Sequence, residues 1–145
     1  MSLRDGTKKM SKSDPSDLSR INMTDDSDTI ANKIRKAKTD QYGLPSEPKG
    51  LECRAEARNL VSIYAALGDD SVESVLREIG GKQFSEFKPM LVERATEVMS
   101  PISSEMGRIM KDIPQLDEIL DNGARKAKSV AEPILQKTFD IIGMK

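Results

Sequence analysis

Histidine and tryptophan are absent from the 145 residues, and there is a single cysteine. Without an imidazole the chain has no His general base, no Ser–His or Cys–His nucleophile pair and no His-ligated metal site. One cysteine excludes an intrachain disulfide and a Cys-only zinc site. The formal charge is −1. That excludes a broad polybasic nucleic-acid binder but leaves room for a local basic patch. No apolar run approaches the roughly 18 residues of a membrane span, and the N-terminus is too polar for a signal peptide. The length suits about one domain with a real core, not a large two-domain enzyme. These absences give a soluble, cytosolic chain that lacks most catalytic equipment.

What is present divides near position 50. Residues 1–49 hold ten basic and eight acidic groups, and residues 50–145 hold thirteen and sixteen. Residues 4–20 carry Gly6, Pro15, four serines and five lysines or arginines, with no period of two or 3.6. They read as a mobile polar loop, with 18–23 (LSRINM) as a short extended piece. Asp25, Asp26, Ser27 and Asp28 then cap a helix through Ile30, Ile34 and Ala37, and cations crowd its last turns. Residues 39–50, with Gly43, Pro45, Pro48 and Gly50, read as a connector.

Four helical segments follow. Leu51, Ala55, Leu60, Ile63, Tyr64 and Leu67 mark the first, which ends at Gly68. Ser71 caps a short second one through Val72, Val75 and Ile79, stopped by Gly80-Gly81. The third keeps one stripe from Leu91 to Met110, with Pro89 in its first turn and a kink expected at Pro101. The fourth runs from about Pro114 to Ile142 and reads as one bent helix across Gly123 and Pro133, with two shorter helices as the alternative. The aliphatic and methionine stripes are expected to form the core. The fold class is all-α, with no parallel-sheet pattern and no internal repeat. Cys53 reads as a packed or incidental thiol, because no histidine can activate it.

Chemistry concentrates in Lys8-Lys9-Met10-Ser11-Lys12-Ser13-Asp14-Pro15. Two long ammonium arms, Lys9 and Lys12, can converge on a polyphosphate, while serine hydroxyls and backbone N–H groups add donors. Charge on a leaving pyrophosphate is stabilised best by cations on a loop that closes over it. A generic KxxK would read as a solvated linker. This string is longer: Lys9-Met10-Ser11-Lys12-Ser13 is the full KMSKS signature of class I aminoacyl-tRNA synthetases. Its surroundings are Met1-Ser2-Leu3, Lys8 to Pro15, IANKIRKAKTD (30–40), Gly50-Leu51-Glu52, and Gly123-Ala124 before an Ala-rich helix. With them, essentially the whole chain resembles bacterial-type tryptophanyl-tRNA synthetases.

The resemblance implies a C-terminal part of such an enzyme. Residues 1–24 would be the KMSKS segment left from the catalytic domain, and 25–145 the helical anticodon-binding-type domain. The Rossmann domain with its histidine-containing HIGH-type motif would be missing. Lys9 and Lys12 would be the catalytic lysines, stabilising the transition state in which tryptophan's carboxylate attacks the α-phosphorus of ATP. Met10, Ser11 and Ser13 would complete the ATP-binding loop, Met10 chiefly as its anchor. Asp14-Pro15 would fix its exit. No protein-held metal is implied, since Mg²⁺ would arrive mainly on the nucleotide, and no cofactor is expected in the isolated segment. Implied partners of the full-length enzyme are tryptophan-specific tRNA, ATP and tryptophan, with a second copy in a homodimer, and neither DNA nor membrane. The isolated 145 residues are expected to be inactive.

Two basic clusters, Arg125, Lys126 and Lys128, and Lys33, Arg35, Lys36 and Lys38, are candidates for tRNA phosphates. A charge run is more often a solvated helix face. Bases of a single strand prefer aromatic platforms. Only Tyr42, Tyr64, Phe84, Phe87 and Phe139 are available, and the periodicity buries Tyr64 and Phe87, so no base-reading residue is named. A stand-alone helical RNA- or partner-binding module is the competing reading. A P-loop hydrolase is not supported, because GxxxxGK[ST] is absent.

Overall fold

A computed structural model describes residues 1–144. Lys145, the last residue of the expected helical domain, lies outside the described residues. Among the described residues five α-helices account for most of the regular structure: α1 (Ser27–Arg35), α2 (Ala55–Leu67), α3 (Val72–Ile79), α4 (Phe84–Lys111) and α5 (Ile113–Ile142). Short 3-10 turns occur at Asp17–Ser19 and Pro48–Leu51, and there is no strand among the described residues. The chain divides into two compact units, Met1–Ser104 and Glu105–Lys145.

In the first unit the helices start where the sequence supplies caps. The Asp26 carboxylate accepts from Thr29 N–H at 2.8 Å and opens α1. The Ser71 hydroxyl accepts from Ser74 N–H at 3.1 Å and opens α3. Each satisfies a donor that the first turn leaves free. Gly81 takes a φ of +83°, a left-handed conformation natural to glycine, and ends α3 as the Gly-Gly pair predicts. Two boundaries move. Leu51 belongs to a 3-10 turn and α2 opens at Ala55, while α4 opens at Phe84 rather than near Pro89. The earlier start buries Phe84 and Phe87. It also puts Pro89 inside the helix, where the carbonyl it leaves unpaired belongs to exposed Ser85.

The core is made by Ile30, Ile34, Leu60, Val61, Leu76, Ile79, Phe87 and Leu91, with their neighbours. Each large aliphatic or aromatic side chain removed from water contributes on the order of 1.5–3 kcal/mol. Tyr64 packs edge-on against Phe87 at 5.5 Å. The Arg94 guanidinium lies 3.8 Å from the Tyr64 ring centroid and bonds Asp70 at 2.9 Å. Tyr64 and Phe87 are thus buried, as the periodicity predicts.

The polar N-terminal segment is more firmly held than its composition predicts. Leu3 is buried in the core. Its N–H donates to the Ser19 carbonyl at 2.9 Å, and its carbonyl accepts from Lys38 N–H at 2.8 Å. Asn59 of α2 donates to the carbonyls of Met1 and Ser2 at 3.2 and 3.0 Å. A Cβ on Gly6 would lie 2.4 Å from the Ala55 carbonyl oxygen, so only glycine permits this approach to the start of α2. The extended piece expected over 18–23 is partly a 3-10 turn, with Arg20 extended behind it at φ −145° and ψ 159°.

The second unit corrects an expectation. The stripe on α5 was expected to be core, yet no residue of α5 is buried. Val130 is 69% exposed and Ile134 63%. The reason is physical: this unit of little more than one long helix has no second layer to cover its apolar face. α5 does run unbroken through Gly123 and Pro133, as the continuous stripe predicts.

Candidate functional site

The KMSKS motif lies on a turn whose own side chains shape it. Upstream, Asp5 accepts from Thr7 N–H at 3.0 Å and from the Thr7 hydroxyl at 2.6 Å, and pairs with Lys8 at 3.4 Å. The Thr7 hydrogen bonds hold the Asp5 carboxyl below its ordinary range. Ser2 N–H donates to the Lys8 carbonyl at 2.7 Å. Within the motif, the Ser11 hydroxyl accepts from Ser13 N–H at 3.2 Å, and the Ser11 carbonyl from Asp14 N–H at 3.3 Å. At the exit the Asp14 carboxylate accepts from Ser16 N–H at 2.8 Å. Asp14-Pro15 thereby closes the loop as its sequence predicts.

Lys9, Ser11, Lys12 and Ser13 are exposed, while Met10 is half-buried and packs against the core. Among the described residues neither Lys9 nor Lys12 has a carboxylate within ion-pairing distance, whereas neighbouring Lys8 does. The two motif ammoniums are the uncommitted cations of the loop. Beside Lys12 opens a cleft of about 460 Å³, lined by Met10, Ser11, Lys12, Arg20, Ile21, Asn22 and Met23. Lys12 is on its wall and Lys9 is not.

Arg20 carries no motif signal, and sequence reasoning missed it. Its Nη1 donates to the Asp14 carbonyl at 3.2 Å, with the Ser11 and Ser16 carbonyls at 3.4 and 3.5 Å. Its Nη2 pairs with Asp17 at 3.1 Å. The other Asp17 oxygen lies 2.6 Å from Lys33 Nζ, which also bonds Asp25 at 2.6 Å. Asn22 bridges both carboxylates, donating to Asp17 at 3.1 Å and Asp25 at 3.3 Å. Burial alone would push the Lys33 ammonium down, but the hydrogen bonds to Asp17 and Asp25 outweigh it and its pKa is raised. The Lys33 hydrogen bond holds Asp17 below its ordinary range.

The basic clusters fare differently. Lys33 is 2% exposed and committed to two carboxylates, so it offers nothing to a phosphate. Arg35, Lys36 and Lys38 are exposed, but Lys38 pairs with Glu56 at 2.8 Å. On α5, Arg125, Lys126 and Lys128 are exposed. Arg125 and Lys128 share a shallow recess with Asp121 and Ala124, and Lys128 stands 3.8 Å from Glu132. Cys53 is exposed, so of the packed and incidental alternatives it is not the packed one. Among the described residues no three Cys, Asp or Glu side chains are grouped to hold a metal ion.

Comparison with known proteins gives the family. The chain is 61% identical to the tryptophan–tRNA ligase of Rhizobium meliloti over 143 residues, covering 99% of this chain and 40% of that protein. It is 49% identical to the ligase of Caulobacter vibrioides and 41% identical to that of Synechocystis, each match covering 99% of this chain and 42% of the relative. It thus spans about 40% of the length of the curated relatives it matches. The crystal structure of tryptophanyl-tRNA synthetase from Mycoplasma pneumoniae superposes with a TM-score of 0.68 at 25% identity, covering 100% of this chain and 45% of that one. The family profile described as tRNA synthetases class I (W and Y) matches residues 1–100, a stretch that includes the KMSKS loop and its whole supporting network. The chain belongs to the tryptophan and tyrosine group of the class I tRNA synthetases.

Proposed function

We propose that this chain serves as the KMSKS loop and helical tRNA-binding part of a tryptophan–tRNA ligase. Residues 1–24 complete the catalytic domain and residues 25–145 form the anticodon-binding-type domain. The observation that carries the reading is the loop itself. Lys9 and Lys12 are exposed, without a carboxylate partner among the described residues, on a turn pinned to a folded core. Relatives bearing the name tryptophan–tRNA ligase match 99% of the chain.

The chemistry follows from the charges. Tryptophan's carboxylate attacks the α-phosphorus of ATP, the bond to the bridging oxygen breaks, and pyrophosphate departs with the electron pair. The negative charge that accumulates there is met by the ammoniums of Lys9 and Lys12, an interaction stronger in the transition state than in the ground state. Ser11 and Ser13 add donors, and Met10 keeps the loop seated. Mg²⁺ arrives with the nucleotide. The 3′-terminal hydroxyl of a tryptophan-specific tRNA then attacks the adenylate's carbonyl carbon, taking the tryptophanyl group as AMP leaves with the electron pair, while the tRNA is gripped through phosphates by cations such as Arg125, Lys126, Lys128 and Lys36. The full-length enzyme works as a homodimer in the cytoplasm.

Tryptophan-dependent ATP–pyrophosphate exchange tests this. The 145 residues alone should show none, and activity should appear when they are joined to the remaining part of the ligase. There, Lys9→Ala and Lys12→Ala should each lower kcat by about a hundredfold or more, the usual scale for one lost transition-state donor. Exchange by the isolated chain, or full activity of the double variant, would overturn the reading.

A further inference from the structure

We infer that Arg20 is the positioning residue of the KMSKS loop, held in place by Asp17 and, through it, by Lys33 of α1. The inference deepens the ligase reading and rests on it for its catalytic consequence.

The geometry has a firm side and a soft side. On the firm side, Asp17 receives Arg20 Nη2 at 3.1 Å, Asn22 Nδ2 at 3.1 Å and Lys33 Nζ at 2.6 Å. Lys33 is fixed in turn by Asp25 at 2.6 Å, and Asp25 accepts from Asn22 N–H at 2.8 Å. Two cations and two carboxylates therefore form a neutral chain ending on a core helix, and a partly desolvated pair of this kind resists rearrangement. On the soft side, Nη1 faces three loop carbonyls at 3.2, 3.4 and 3.5 Å. One NH₂ group has two hydrogens for three acceptors, and the longer contacts are weak. The loop can trade one carbonyl for another while the guanidinium stays anchored.

The acceptors are placed to matter. The Ser11 and Asp14 carbonyls bracket the Lys12-Ser13 stretch. Fixing the peptide planes on either side fixes the arc through which the Lys12 ammonium can swing. Arg20 and Lys12 also share the wall of the same cleft. A lysine has one compact donor group on a flexible stem, so it cannot hold a carboxylate and a set of carbonyls at once as a planar fork does.

The test uses the full-length ligase with Arg20→Ala, Arg20→Lys and Asp17→Asn. The last keeps the guanidinium and weakens only its anchor. Three readouts are taken: ATP–pyrophosphate exchange, transfer of tryptophan from preformed adenylate to tRNA, and amide hydrogen exchange over residues 11–16. Arg20→Ala should lower kcat for pyrophosphate exchange about ten- to a hundredfold, the scale of a misplaced reacting group, with KM for ATP and the transfer step within about twofold. The amides of Ser13, Asp14 and Ser16 should exchange faster while those of α2 and α3 do not. Arg20→Lys should recover part of the rate, and Asp17→Asn should fall between the two. A raised KM with unchanged kcat would mean that Arg20 touches ATP directly and would overturn the positioning role. So would a parallel loss of activation and transfer, or unchanged loop amides. If the unaltered protein lacks tryptophan-dependent exchange, the ligase reading fails, and the loop amides alone still decide whether Arg20 holds the loop.

Discussion

Lys33 carries a full charge into the interior of the first unit, where it is 2% exposed. Removing a charge of this kind is costly less for the attraction lost than for the partner left behind. Lys33→Met strands Asp25, itself 9% exposed, and should destabilise the unit by about 3–5 kcal/mol, read as a drop in the urea midpoint. Lys33→Met with Asp25→Asn should restore much of that. An unchanged midpoint in the single variant would show that the pair is not structural. The neighbouring pair of Lys33 with Asp17 sets a pH window. Asp17 is depressed in the folded chain, so its contribution is present at neutral pH and fades as the solution is acidified through the carboxylate range. Lys33 is raised, so its contribution is complete at neutral pH and is lost only on going alkaline beyond the ordinary ammonium range. Stability against urea should therefore be flat around neutrality and fall at both extremes, and the acid limb should shrink in Asp17→Asn.

At the scale of elements, caps and glycines made most helices legible. Asp26 and Ser71 mark their starts and Gly80-Gly81 a stop, because each meets a local backbone requirement that sequence states directly. Other features depend on partners that a linear pattern does not name. The α5 stripe has the period of a buried face, but burial needs an opposing surface, and period alone does not supply one. Gly6 looked like loop flexibility and is instead a close approach, with the Ala55 carbonyl 2.4 Å from where a Cβ would lie. Gly6→Ala should push the loop off the start of α2 and cost about 1–3 kcal/mol, measured by thermal unfolding. Gly123 is the opposite case. It sits within α5 with nothing within 4 Å of an added Cβ. Gly123→Ala should stabilise that helix by about 0.5–1 kcal/mol, visible as greater helicity on warming. A loss of helicity would show that the glycine has a role the helix does not reveal.

For the molecule as a whole, the motif lysines were legible and the network behind them was not. Lys9 and Lys12 stand in a recognisable string, whereas Arg20 is one cation in a polar stretch. Its partners, three to nine positions away, are mostly backbone carbonyls, which every residue has. Lys33 misled for the complementary reason: a basic run on a helix includes the face that turns inward. Charge on the outside remains open to measurement. If Arg125, Lys126 and Lys128 contact tRNA phosphates, replacing all three by alanine should weaken binding by the full-length ligase and reduce the steepness of its salt dependence by about two to three contacts. An unchanged slope would assign them to solvent.

The pinning of the N-terminal segment also orders events in time. Leu3 waits for Lys38, and Ser2 for Asn59, 57 positions further along the chain. Contacts this distant close late, because the entropy of the intervening chain is spent before they return anything. A ribosome delivers the KMSKS residues first and their clamps tens of residues afterwards. Until Asn59 has left the exit tunnel the stretch ahead of the loop lacks its anchor on α2. The N-terminal segment that leads into the KMSKS motif is thus among the earliest parts of this chain to be synthesised and among the last to be pinned.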